Sequence, residues 1–216
     1  MSPDYNRAAV RAAEVLVRHQ VSRSPVSPLP ILEHMDNVIV MSFEEMSDAS
    51  NIRPFDLVQI FGSGKDAVTS IHTRNGRPCY FVGYNSLLPF GLIQHALARE
   101  MGHIVLGHTE SNKENTEEAL CFALHLLCPR PLIHAIQATS IRLTKDLFAQ
   151  LTGAHSQYRA SLRRIPATDV PPGLNRFVRS QFMPFILNFF ECYRAVMPDD
   201  GSALVDLGTY MDGYQE

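Results

Sequence analysis

The chain has 216 residues, of which 45% are hydrophobic and 19% are charged, and its formal net charge is −3. This length allows one buried core with an appendage, and the composition excludes a disordered or fibrous chain. No run of about 18 uncharged apolar residues could span a membrane, and arginines interrupt every apolar stretch that could act as a signal peptide. Four cysteines without CxxC spacing indicate free thiols in a reducing compartment, so we expect a cytoplasmic protein.

The first half of the chain predicts a helix followed by a small sheet. Residues 6–20 place their apolar side chains on one helical stripe, and Pro30 begins a short helix or turn after a proline-rich break. Asn75-Gly76 lies between two apolar runs, which is a strong hairpin signal. The predicted strands, which together form a small and mainly antiparallel sheet, are 37–43, 57–61, 67–73 and 78–84. We expect the last of these to be the exposed edge strand beside a substrate cleft.

The second half of the chain is predicted to be helical. Apolar residues recur at helical spacing in a central helix over residues 94–108, where Gly107 is a stop signal. A second helix over residues 116–128 ends before Pro129. Shorter helices are expected within 131–165. Beyond the proline-rich turn at 166–172, a last apolar helix over 174–196 contains Pro184.

Charge is distributed unevenly along the chain. Residues 1–128 carry −4, residues 129–195 carry +6 and residues 196–216 carry −5. The basic segment could bind an acidic partner or attract the acidic tail, and we favour the second interpretation. Because no helix-turn-helix glycine pattern accompanies this charge, we do not expect direct nucleic-acid binding.

The central helix contains part of a zinc-peptidase motif. Two histidines four residues apart share a helix face and can reach one tetrahedral ion, and a glutamate after the first histidine takes a proton from the metal-bound water. Here the sequence is Arg99-Glu100-Met101-Gly102-His103, so arginine stands where the first histidine is required. ExxH alone is a weak signal, and the surrounding residues add to it.

Two stretches, NSLLPFGLIQHALAREMGHIVLGH and TEEALCFALHLLCP, resemble the ImmA/IrrE family of metallopeptidase-like proteins. That family has a strand ending in Asn, a helix with HELGH and a trailing His, and a second helix similar to E-A-N-x-F-A-A-x-L-L-M-P. The likeness extends more loosely over residues 8–165. The matching positions are Asn85, Met101-Gly102-His103, His108, Glu118-Ala119, Phe122-Ala123, Leu126-Leu127 and Pro129.

The resemblance implies an α+β, zincin-like minimal metallopeptidase fold with a central active-site helix over residues 1–165, followed by a helical C-terminal extension with an acidic tail over 166–216. It implies zinc as the cofactor, His103 and Glu118 as metal ligands and Glu100 as the general base. Leu120 stands where the family has Asn. Arg99 cannot ligate zinc because its guanidinium remains protonated, and two protein ligands hold zinc poorly. We therefore expect Arg99 to supply the positive charge and leave the site without zinc.

Several of these residues also have simpler interpretations. His103 could be a hydrogen-bonded core histidine, and Glu118 could close a capping box with Asn115, with Glu117 the alternative ligand if the register is shifted by one. His95 lies about 12 Å from His103 along the helix, too far to share a metal. His108 is expected to be structural, since it approaches the site only if the helix ends at Gly107. His125 is most simply a core or solvent-facing residue. Residues 182–190 are most simply part of the core or of a dimer interface.

Two functions follow from these patterns. The first is a degenerate metallopeptidase-like protein that binds a peptide or protein as a regulatory module, without cutting it. The second is an active zinc-dependent endopeptidase that cleaves a protein such as a transcriptional repressor. The expected partner is a protein or peptide in both cases, and a homodimer is one possible assembly.

Overall fold

The computed structural model describes residues 2–53, 56–57, 66–110, 112–138, 144–153 and 167–196. These residues form a mixed α+β fold. The three strands are β1 Val38–Ser42, β2 Ala67–Arg74 and β3 Arg77–Tyr84. The helices are α1 Tyr5–Arg18, α2 Pro28–Glu33, α3 Phe43–Ser50, α4 Phe90–Leu106, α5 Lys113–Leu127, α6 Arg130–Gln137, α7 Lys145–Thr152 and α8 Pro172–Val196. The strand predicted at 57–61 lies almost entirely outside the described residues.

The sheet has the strand order β1-β3-β2. β1 runs parallel to β3, with Val38 opposite Tyr80, and β2 runs antiparallel to β3, with Ala67 opposite Tyr84. The prediction that residues 78–84 form an edge strand is therefore wrong, because β3 is paired on both sides. The sheet is mixed rather than mainly antiparallel. β1 pairs in parallel with the side of β3 that the β2–β3 hairpin leaves free.

The hairpin between β2 and β3 has the predicted turn. Asn75 and Gly76 both have positive φ, at 52° and 74°, and the flanking residues Arg74 and Arg77 face each other. Positive φ at both central positions is the geometry of a type I′ turn, which matches the twist of the two strands. The Asn-Gly signal therefore located this turn correctly.

α4 packs against β2 and β3, and α1 and α5 pack against α4 and against each other to form the main core. α4 ends at Leu106, and Gly107 caps it with φ 69°. α8 adds Val178, Phe182 and further apolar side chains to the same buried cluster, packing against α1 and α6. No single helix among the described residues is long and apolar enough to cross a membrane; α5 and α6 meet that length and composition only as a pair, and they are bent by 47°.

The contact between α4 and α5 depends on Gly102. A Cβ built at this position would lie 3.1 Å from the Cα and the carbonyl oxygen of Ala119 and 3.1 Å from Cδ1 of Phe122. The two helix backbones approach closely here, and a backbone cannot rotate away as a side chain can. The same contact holds the segment that carries His103 against the segment that carries Glu118.

We expect Gly102→Ala to lower the free energy of unfolding by about 1–3 kcal/mol, because overpacking exceeds the gain of about 1 kcal/mol that alanine gives in a helix. Chemical denaturation measures this. Gly173→Ala is the matched control, since that helical glycine has open space around its Cβ position and the change should stabilise the chain. An equal gain at both positions would contradict the close packing.

Candidate functional site

An open cleft of about 510 Å³ lies between β2 and α4. From β2 and the residue before it, the cleft is lined by Asp66, Ala67, Val68, Thr69 and Ile71. From α4 and the turn after it, the lining includes the residues that the motif singled out. These are Arg99, Glu100, His103 and His108.

Glu100 is fixed by two neighbours. Its side chain is buried, and Thr69 donates a hydrogen bond from Oγ1 to Oε2 at 2.8 Å. Arg99 donates to Oε1 from Nη2 at 3.2 Å and Nε at 3.4 Å. The carboxylate of the expected general base is therefore already paired with a guanidinium. The hydrogen bond from Thr69 to Glu100 was not predicted. The sequence indicates only that Thr69 and Val68 lie on opposite faces of a strand.

His103 and His108 are joined by a hydrogen bond. α4 ends at Leu106, and the left-handed turn at Gly107 brings His108 back, so that its backbone N–H donates to the His103 carbonyl at 2.9 Å. The two Nδ1 atoms lie 3.1 Å apart. Burial, and then the electrostatic effects of His108 and Arg99, lowers the pKa of His103 to about 4. His108, expected to be structural, is thus part of the site.

Glu118 has partners on both carboxylate oxygens. Oε1 accepts from the backbone N–H of Asp4 at 2.9 Å, and Oε2 lies 3.2 Å from Nε2 of His108 and 3.8 Å from Nη1 of Arg7. The capping interpretation is wrong, because α5 begins at Lys113 and Asn112 is its N-cap. Glu118 therefore lies inside the helix and faces the site.

The proton arrangement follows from these contacts. A carboxylate only accepts, so Nε2–H of His108 donates to Glu118. When His108 carries one ring proton, its Nδ1 accepts a hydrogen bond from Nδ1–H of His103. This leaves Nε2 of His103 as the acceptor nitrogen of the pair. The result is a chain of hydrogen bonds from Glu118 through His108 to His103.

The N-terminal segment closes this site from one side. Arg7 donates from Nη2 to the carbonyl of Leu106 in the last turn of α4, and the carboxylate of Asp4 accepts from the Arg7 backbone N–H. A cation near a helix C-terminus is also favoured by the helix dipole. The segment therefore connects the end of α4 with Glu118 on α5.

The described residues around the cleft do not supply three free protein ligands for a zinc ion. Catalytic zinc normally has three protein ligands, and here Arg99 replaces one of them. Both oxygens of Glu118 and Nδ1 of His103 are used in protein hydrogen bonds, which leaves Nε2 of His103 as the open nitrogen of that ring. Within the part of the chain that the structure describes, no group of three His, Cys, Asp or Glu side chains is placed to hold a metal.

Two further histidines are buried outside the cleft lining. His95 lies one turn before Arg99. Its pKa is lowered to about 3 by burial and then by the positive charge of Arg99. His125 on α5 has its pKa lowered to about 4 by burial and then by Arg130, and its Nε2 lies 3.2 Å from Oγ1 of Thr168. Both are core residues, which agrees with the simpler interpretation of His125.

No protein-family model, no curated protein and no solved structure matches this chain. The likeness to ImmA/IrrE proteins therefore depends on the residues of the two motif stretches. The structure adds that Glu100, His103 and Glu118 lie around the same end of α4, together with His108.

Proposed function

We propose that this chain is a degenerate metallopeptidase-like protein of the ImmA/IrrE type, with a zincin-like fold, whose cleft binds an extended peptide segment of a partner protein without cutting it. The observation that carries the proposal is the ion pair between Arg99 and Glu100. In a zinc peptidase the glutamate must be free to take a proton from water. Here the Arg99 guanidinium donates two hydrogen bonds to that carboxylate.

The peptide would bind along β2. Among the described strands, β2 pairs only with β3, and its other side borders the cleft. Added strands gain affinity from backbone hydrogen bonds and specificity from alternate side-chain pockets. Ile71 is 43% exposed and lines the cleft, so it offers an apolar contact to one side chain of the peptide.

A panel of unstructured peptides of about ten residues, screened by fluorescence anisotropy, tests the proposal. We expect a bound peptide to be recovered intact by mass spectrometry, with or without added zinc. Ile71→Asp should weaken binding about tenfold or more because it removes an apolar contact and introduces a charge. Ile39→Asp is the matched control, since Ile39 is 38% exposed on β1 but lies on the opposite face of the sheet.

Two results would overturn this function. Cleavage of the bound peptide that depends on Glu100 and zinc would show the endopeptidase instead. Equal loss of binding in Ile71→Asp and Ile39→Asp would place the peptide somewhere other than the cleft.

A further inference from the structure

A second cavity, of about 560 Å³, lies between α1, α6 and the start of α8. It shares no lining residue with the β2–α4 cleft. Its floor consists of small or branched apolar side chains that are buried in the core, and this volume is typical of sites for small molecules. The floor residues are Ala9, Ala13, Leu16, Ala135 and Val178.

The rim of this cavity is strongly basic. Arg130 is half-buried, and Arg176 and Arg179 are exposed. Among the described residues, none of these three arginines has a carboxylate within ion-pair distance. Asp169 is the single carboxylate among the lining residues that the structure describes. A guanidinium keeps its charge at any physiological pH, so the rim has an excess of positive charge.

One part of the cavity wall is held in place by hydrogen bonds. The backbone N–H of Asp169 donates to Oδ1 of Asn6 at 2.8 Å, and Nδ2 of Asn175 donates to the carbonyl of Val170 at 3.1 Å. Thr168 pairs with His125, as described above. This wall is therefore formed before any ligand binds, which reduces the entropy cost of binding.

We propose that this cavity binds a small organic anion, with the apolar body of the ligand on the floor and a carboxylate or phosphate group at the arginines. Planar guanidinium groups suit both anions, because they donate two parallel hydrogen bonds. An inorganic anion would leave the apolar floor uncovered, and a neutral apolar molecule would leave the arginines without a partner. The site is separate from the proposed peptide cleft and does not depend on it.

Isothermal titration calorimetry of the full chain tests the site with 1-naphthyl phosphate, 1-naphthoate and neutral 1-naphthol. We expect one or both anions to bind at least about tenfold more tightly than 1-naphthol, since charge-assisted hydrogen bonds are lost with the neutral probe. The tighter anion identifies the head group. Equal binding of 1-naphthol, or binding of neither anion, would overturn the proposal.

Paired variants locate the bound anion. Arg176→Gln/Arg179→Gln should weaken binding about tenfold, whereas Arg74→Gln/Arg77→Gln, which removes the same charge at the hairpin, should not. Ala138→Phe should block the exposed rim without a change of charge. The proposal fails if the hairpin variant loses as much affinity. It also fails if a short single-stranded oligonucleotide binds more tightly through Arg176 and Arg179, which would make this surface a nucleic-acid interface.

Discussion

The double variant Arg99→His/His108→Ala should bind about one zinc ion per chain, whereas the natural chain should bind far less. An imidazole at position 99 lies one helical turn from His103, on the same face of α4, and so supplies the missing ligand. Removing the His108 ring frees Oε2 of Glu118 from its present hydrogen bond to that ring, and Nε2 of His103 is already an open acceptor nitrogen. Three ligands would then be available.

Elemental analysis after dialysis measures the zinc content, and thermal denaturation with added zinc gives a second readout. Zinc at a hundred times its dissociation constant should stabilise the double variant by about 2.7 kcal/mol. His108→Ala alone is the control, because it frees the same atom without adding a ligand. One zinc per natural chain that is lost on His103→Ala would contradict the role given to Arg99.

Acid should destabilise the protein strongly between about pH 6.5 and pH 4. Burial holds the pKa of His95 at about 3 and the pKa values of His103 and His125 at about 4 in the folded chain, against 6.5 when exposed. As the pH falls below 6.5, the unfolded chain binds protons on these rings that the folded chain does not. The stability present above pH 6.5 is therefore lost as the pH falls, by up to about 1.4 kcal/mol per pH unit for each of His95 and His125 and by less for half-buried His103, whose charge the solvent screens.

Urea denaturation at pH 7.5, 6.5, 5.5 and 4.5 measures this loss. His125→Gln should flatten the curve, because glutamine can keep the hydrogen bond to Thr168 and does not titrate in this range. The same change at exposed His134 controls for the substitution itself. A free energy of unfolding that stays constant between pH 7.5 and pH 4.5 would contradict the neutral state of the three rings.

Local signals explain which parts of the structure were predictable. Apolar periodicity located α1, α4 and α5, and Asn75-Gly76 located the hairpin, because neighbouring residues determine these features. The position of β1 beside β3 was not predictable, since parallel pairing joins residues that are far apart in sequence, such as Val38 and Tyr80. The edge-strand prediction failed for this reason.

The candidate site was only partly predictable for a related reason. Helical spacing placed Arg99 and His103 on one face, and the Gly107 stop signal was correct. The partner of Glu118 was not predictable, because Asp4 is 114 residues away and contributes a backbone N–H rather than a recognisable side chain. Adjacent residues on a helix usually point apart, so the pairing of Arg99 with Glu100 also depends on the reach of a long side chain.

The hydrogen bond from Asp4 to Glu118 makes one backbone amide a reporter on the whole site. This N–H is held by a carboxylate that also contacts His108, so its exchange with deuterated solvent requires the N-terminal segment to separate from α5. A fusion partner joined close to residue 4 would add mass and charge at that point. Tags are therefore better placed at the other end of the chain, and the exchange rate of this single proton can follow opening of the site in solution.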